Sequence, residues 1–252
     1  MSGWITAGTA DEFTKLLNEH TEVHRLALQS AGGRIYDARQ IAAAVASRKL
    51  DTIAVGDCSS SCTIVFLSGS RRFAEVGSSL GFHSPSGVGM TDNEAQTASP
   101  EMRAAYEKAG LPAQFIERAL ATSSQSVWRP NETELVEAGA INSFSVARII
   151  ASNQSIERDV NTAGAKRLDE VTTLAGANAS GTELTYLFNI SVPADRIEGG
   201  AIKRIGADAQ RQLCSEKINR LLIGSGASYS YKYADSSGKF VGEYTVTKCP
   251  SP

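Results

Sequence analysis

The feature that most constrains this chain is a strand–turn–helix unit written twice within its first 70 residues. His24 to Gln29 reads as a short buried strand that ends in Ser30-Ala31-Gly32-Gly33, where two successive positions lack a Cβ and permit a tight turn. Ala38 to Arg48 follows as an alanine-rich helix. Asp51 to Val55 is the next strand; a turn from Gly56 to Ser61 then feeds an apolar helix, Cys62 to Leu67, closed by Gly69. Upstream, Thr9 to Glu19 predicts a capped amphipathic helix with Phe13, Leu16 and Leu17 on one side. Alternating strands and helices of these lengths give an α/β layered fold. Phe73 and Leu80 to Phe82 extend it as short strands, Ser84 to Pro100 reads as a polar loop, and Met102 to Thr122 as two helices bent at Gly110-Leu111-Pro112. Glu134 to Ile141 closes the unit as a short helix and a strand.

From Ala151 the rhythm changes. Ser155 to Leu168 is helical, Leu184 to Ile190 is a strand, and Ala207 to Ile223 is a helix. Tyr229 to Tyr233 and Phe240 to Val246 form a hairpin around Ser236-Ser237-Gly238. Helix, strand, helix, strand, strand predicts a small α+β domain, so the chain divides into residues 1–150 and 151–252. Tyr186, Tyr229, Tyr231, Tyr233 and Tyr244 read either as strand packing or as a binding face. No catalytic cluster stands in this half, and its role is unassigned.

Composition narrows the function. With 42% apolar and 21% charged residues, wholesale disorder is excluded. The 252 residues can bury a core without metal or disulfides as its main support. A net charge of −2 without a basic stripe argues against nucleic acid as principal partner. No apolar run reaches the roughly 18–20 residues of a membrane span. The start, Met1-Ser2-Gly3-Trp4, shows neither basic nor apolar leader regions, so membrane association would need a segment that this sequence does not contain. The four cysteines fall as Cys58/Cys62 and Cys214/Cys249, without a Cys-x-x-Cys zinc pattern. They read as two disulfides of an oxidising compartment, the other reading being buried thiols in the cytosol.

The chemistry concentrates in Asp57-Cys58-Ser59-Ser60-Ser61-Cys62-Thr63, followed by Gly69, Arg72 and Gly81-Phe82-His83. A serine between a strand and a helix stands where backbone N–H groups point outward and favour developing negative charge. Gly32-Gly33 could complete an oxyanion hole, and a histidine on an adjacent loop would act as general base. Each residue alone has a plainer meaning: the serines as helix caps, His83 (beside His20 and His24) as structural, the glycines as a turn.

Together, in this order, they resemble the Clp proteolytic subunit of the ClpP/crotonase superfamily. The likeness is closer to ClpP-like proteins of the bacterial cell envelope, which carry Cys-x-Ser-x-Cys and Gly-Phe-His segments. It covers residues 5–145, and the nine-residue step from Ser60 to Gly69 and the eleven from Arg72 to His83 agree with the family. The link from Gly69 to Arg72 is about two residues shorter, and Glu134 to Asn142 resembles the closing Glu-Ala-x-x-x-Gly-Leu-Val-Asp. The resemblance implies a ClpP/crotonase-like layered β-α superhelix. It makes Ser60 the nucleophile, His83 its base, and the amides of Gly32 and Ser61 the oxyanion hole. It further implies peptide-bond hydrolysis through an acyl-enzyme, no cofactor, a peptide or protein substrate, a periplasmic or otherwise extracytoplasmic setting, and allows a homo-oligomer.

The family's third triad member is an aspartate before the closing Glu-Ala, and residues 124–130 contain no acid. Ser126 or a main-chain carbonyl would have to orient His83; Glu132 and Glu134 are near in sequence, but no spacing places them. Losing that carboxylate can cost on the order of 10⁴-fold in turnover. The alternative is therefore a non-catalytic peptide- or partner-binding module on the same fold; acyl-CoA chemistry, as in crotonases, lacks an adenine-binding signature here. A Cys58–Cys62 disulfide would staple the turn; two free thiols, or zinc shared with His83 and missing a fourth ligand, are the other readings. Cys214 and Cys249 would close the C-terminus. Arg71 and Arg72 read as solvated strand ends, although Arg72 matches a structural arginine of the family. Gly87 and Gly89 would suit either an edge pairing with an extended peptide or a linker.

Overall fold

The computed structural model describes residues 1–86, 100–198 and 200–251. Most of the loop between Ser84 and Pro100, with Gly87 and Gly89, lies outside the described residues. The chain forms two compact units, Met1–Ser143 and Phe144–Pro252.

The first unit holds α1 (Thr9–Glu19), β1 (Arg25–Ser30), α2 (Ile35–Ser47), β2 (Asp51–Ser59), α3 (Ser61–Leu67), β3 (Arg72–Ala74) and β4 (Ser79–Gly81). After the loop come α4 (Pro100–Lys108), α5 (Ala113–Ala121) and α6 (Glu132–Glu137). All pairings of the four strands are parallel: β2 is central, β1 flanks one edge, and β3 and β4 share the other. The first unit is thus a mixed α/β architecture built on a parallel sheet. The continuous burial of Asp51 to Ala54 is what a central parallel strand requires.

Two departures from the sequence reading matter. The turn expected at Gly56 to Ser61 is strand as far as Ser59, because Asp57, Cys58 and Ser59 pair with Ser79, Leu80 and Gly81. The cap of α1 comes from tertiary structure: Gly8 N and Ala10 N donate to the buried Asp37 carboxylate of α2. Leu17 is buried on that helix, whereas Leu16 is 48% exposed.

Both strand-end arginines are committed. Arg71 donates through Nε and Nη2 to the buried Asp51 carboxylate. Arg72 reaches the carbonyls of Ala140 (2.9 Å) and Gly139 (2.6 Å), while its own N–H donates to Asn142 Oδ1 at 2.7 Å. The closing segment, which follows α6 without a further strand, is clamped to the sheet in this way.

The second unit begins with α7 (Val146–Ala163), capped by Ser145. Strands β5 (Lys166–Arg167), β6 (Thr172–Ser180) and β7 (Glu183–Ile190) follow, then α8 (Ala201–Leu213), α9 (Lys217–Gly224), β8 (Ser228–Asp235) and β9 (Phe240–Val246). The sheet order is β5-β6-β7-β8-β9, antiparallel except for β7 against β8. A parallel pair needs a crossover, and α8 with α9 supplies it. The single helix expected over Ala207 to Ile223 is thus two, broken where Cys214 joins Cys249. Strand β6 was not expected, because Ala175-Gly176-Ala177-Asn178-Ala179 has poor strand propensity. Asn161 of α7 supports it by hydrogen bonds to both N and O of Ala177, beside a bulge.

The tyrosines pack. Tyr229 and Tyr233 are buried, the Phe188 ring stacks on Tyr231 and Tyr233, and Tyr244 OH donates to Gln210. Asp235 organises the β8–β9 turn, accepting from Ser237 Oγ (2.6 Å) and from the amides of Ser237, Lys239 and Ala194. The Ser237 hydroxyl first, and these amides with it, hold its carboxyl down at about 2 against the opposing effect of burial. A depressed folded pKa gives stability that is fully present above the unfolded value of about 3.9 and is lost as pH falls toward the folded one. The second unit should lose resistance to urea between about pH 4 and 2, and Asp235→Asn should flatten that loss; an unchanged pH slope in the variant would contradict it.

Candidate active site

Three segments leave the carboxyl ends of adjacent parallel strands: Gly32 after β1, Ser60 after β2 and His83 after β4. In open α/β sheets this is the side on which ligands bind. The register fixes the assembly, since Ser30 stands opposite Cys58, and Ser59 opposite Gly81.

Ser60 occupies the sharp bend between β2 and α3, with φ 57° and ψ −131°, a conformation that side chains other than glycine rarely adopt. Several bonds hold it there. Its N–H donates to Gly81 O at 2.9 Å, and its carbonyl accepts from Thr63 Oγ1 at 2.6 Å. Since the single Thr63 hydroxyl proton is thereby used, Tyr106 OH must donate to Thr63 Oγ1 across their 2.9 Å contact. Tyr106 is fully buried on α4, and burial pushes its phenol well above the ordinary range. Cys58 and Cys62 are joined, with Cα atoms 5.3 Å apart, so a disulfide spans the bend and the thiol and zinc readings of this pair fall away. Both cysteines are fully buried.

Gly32 lies directly against this bend. Its φ is +96°, and a Cβ there would stand 2.6 Å from both Ser59 O and Ser60 Cβ and 2.9 Å from Ser61 N. Its amide donates to Ser30 Oγ at 3.1 Å. Ser61 is the first residue of α3, where an amide has no acceptor within the helix. Gly81 is also a close approach: a Cβ would meet Ser59 Oγ and stand 2.6 Å from Val127 Cγ1.

His83 continues β4, with Phe82 exchanging two hydrogen bonds with Trp128 at 2.8 and 2.9 Å. Phe82 is buried in a ring cluster with Tyr106, Phe115 and Trp128. His83 Nδ1 lies 2.7 Å from the carbonyl oxygen of Ser84. Ser126 Oγ donates to Ser123 O instead, and Glu134 is engaged with Arg118 and the Asn131 cap. Beneath the site, Asp57 accepts from Ser59 Oγ, Ser79 Oγ and Arg129. Burial pushes its carboxyl up, but these donors together hold it below the usual range.

Sequence reasoning missed Tyr106, Thr63, Ser79 and Arg129. Thr63 carried a readable signal, because a threonine three residues after a carbonyl often donates back to it. The other three come from distant segments and had none.

No protein-family model matches the chain, and no curated protein does. Among solved structures, a mutant of ClpP1 from Listeria monocytogenes is 17% identical with a TM-score of 0.48, covering 57% of this chain and 88% of that one. A peptidase from Plasmodium falciparum is 17% identical with a TM-score of 0.45, covering 57% of this chain and 93% of that one.

Proposed function

We propose that the first unit is a serine-type hydrolase of peptide bonds, with Ser60 as nucleophile and His83 as general base. The observation that carries this reading is the strained bend at Ser60, at the carboxyl edge of a parallel sheet, with Gly32 pressed against it. Strain of this kind persists only where surrounding structure over-determines it, and here a disulfide, the Thr63 bond and the Gly81 bond all do so. His83 takes the hydroxyl proton as Ser60 attacks the carbonyl carbon, and the amides of Ser61 and Gly32 receive the oxyanion. The same histidine then returns the proton to the leaving amine, and water releases the acyl group.

Two disulfides support a setting outside the cytosol, with the periplasm as our assignment. No helix of the described residues is long and apolar enough to cross a membrane. The substrate would be a peptide or protein, self-association is compatible with this reading, and the second unit is proposed as a separate module.

One observation favours the second reading, a non-catalytic peptide-binding module: the Gly32 amide is turned onto Ser30 Oγ. Hydrolysis requires that amide to release Ser30 when an oxyanion forms. A fluorophosphonate probe decides between them. Covalent labelling of the folded, oxidised chain at Ser60, located by peptide mass, is the expected result; folded protein left unlabelled would overturn the hydrolase.

A further inference from the structure

Resting on that hydrolase reading, we propose that the main-chain carbonyl of Ser84 does the positioning work of the carboxylate absent from residues 124–130. A carbonyl oxygen can only accept, so the 2.7 Å contact with His83 Nδ1 requires the imidazole proton on Nδ1. The Nε2 lone pair is then the one available to take the Ser60 proton. Selecting this tautomer is one of the tasks of the third member of a catalytic triad.

Three features make the carbonyl a stiff support. Ser84 is fully buried, and its N–H donates to Thr122 O at 2.8 Å. Two residues upstream, Phe82 is locked to Trp128 by two bonds. The following residue is Pro85, which confines Ser84 to extended backbone and so restricts the direction of its carbonyl. Being neutral, the carbonyl orients the ring without adding negative charge against the imidazolium. A slower enzyme than a carboxylate triad follows.

The test reads the tautomer directly. In the full oxidised chain labelled with ¹⁵N-histidine, long-range ¹H–¹⁵N spectra at a pH where His83 is neutral should show it as the Nδ1–H form. His83→Gln identifies its signals among the three histidines. Pro85→Ala, which frees the carbonyl, should mix the tautomers and slow the maximal rate of fluorophosphonate labelling at least about tenfold, with half-saturation unchanged. An Nε2–H or averaged pattern in a chain that labels at Ser60 overturns the carbonyl's role and leaves the hydrolase standing. An unchanged maximal rate in Pro85→Ala overturns it as well. An Nδ1–H pattern in a chain that never labels removes the hydrolase, and the positioning role with it.

Discussion

Ser60→Gly should abolish turnover and at the same time make the protein more stable. Holding a serine at φ 57° and ψ −131° costs about 1–3 kcal/mol, which glycine does not incur. Glycine gives back about 0.5–1 kcal/mol through its greater freedom in the unfolded chain. The balance is a gain of about 1 kcal/mol, or about 2–4 °C in the melting temperature. Turnover of a fluorogenic peptide should meanwhile fall by at least about 10²-fold, since a nucleophile worth about 10⁶-fold in a complete triad has less to lose where the carboxylate, worth about 10⁴-fold, is already missing. Opposite signs in the two readouts are the signature of a site that keeps strain for function. A Ser60→Gly chain that melts lower than the parent would show the bend to be unstrained, and retained turnover would place the nucleophile elsewhere.

Gly32→Ala should act in the other direction on stability. The methyl would arrive 2.6 Å from the backbone oxygen of Ser59 and from Ser60 Cβ, both carried by a bend that the disulfide and the Thr63 bond prevent from moving aside. The φ of +96° adds a cost of its own. Overpacking and backbone strain together should lower stability by about 2–4 kcal/mol, read from the denaturant midpoint of the first unit. The fraction that stays folded should label at Ser60 at least about a hundredfold more slowly, because the Gly32 amide, proposed above as an oxyanion donor, is displaced. Gly77→Ala is the control: its φ is +81°, but no atom lies within 4 Å of the added methyl, so it carries the backbone cost alone. Equal losses in the two variants would remove the argument that Gly32 is held against the bend.

These expectations separate what local sequence encodes from what it does not. The bend was legible because its parts are adjacent: strand, Cys58-Ser59-Ser60-Ser61-Cys62, apolar helix. The extent of β2 was not, since Asp57 to Ser59 become strand by pairing with Ser79 to Gly81, some twenty residues on, and with Ser30 of β1 on the other side. Ser126 and the main-chain carbonyl were equal candidates to meet His83, because a carbonyl leaves no mark in a sequence. In the second half, the tyrosines marked strands correctly, whereas β6 depends on Asn161 and its neighbouring strands rather than on its own propensity.

By itself, the sequence determined the strand–turn–helix rhythm, the glycines that permit close approach, the cysteine pairs and the order of Gly32, Ser60 and His83. Hydrophobic period, absent Cβ atoms and short spacings act over a few residues, and they can be read there. Tertiary structure alone decided the Tyr106–Thr63–Ser60 chain, the Arg72 clamp, the Asp37 cap and the Ser84 carbonyl beside His83. Each of the first three joins groups distant along the chain, and the last depends on a backbone direction set by β4, Trp128 and Pro85. Hydrogen-bond partners at such separations are chosen by the folded geometry, not by the residues that precede and follow them.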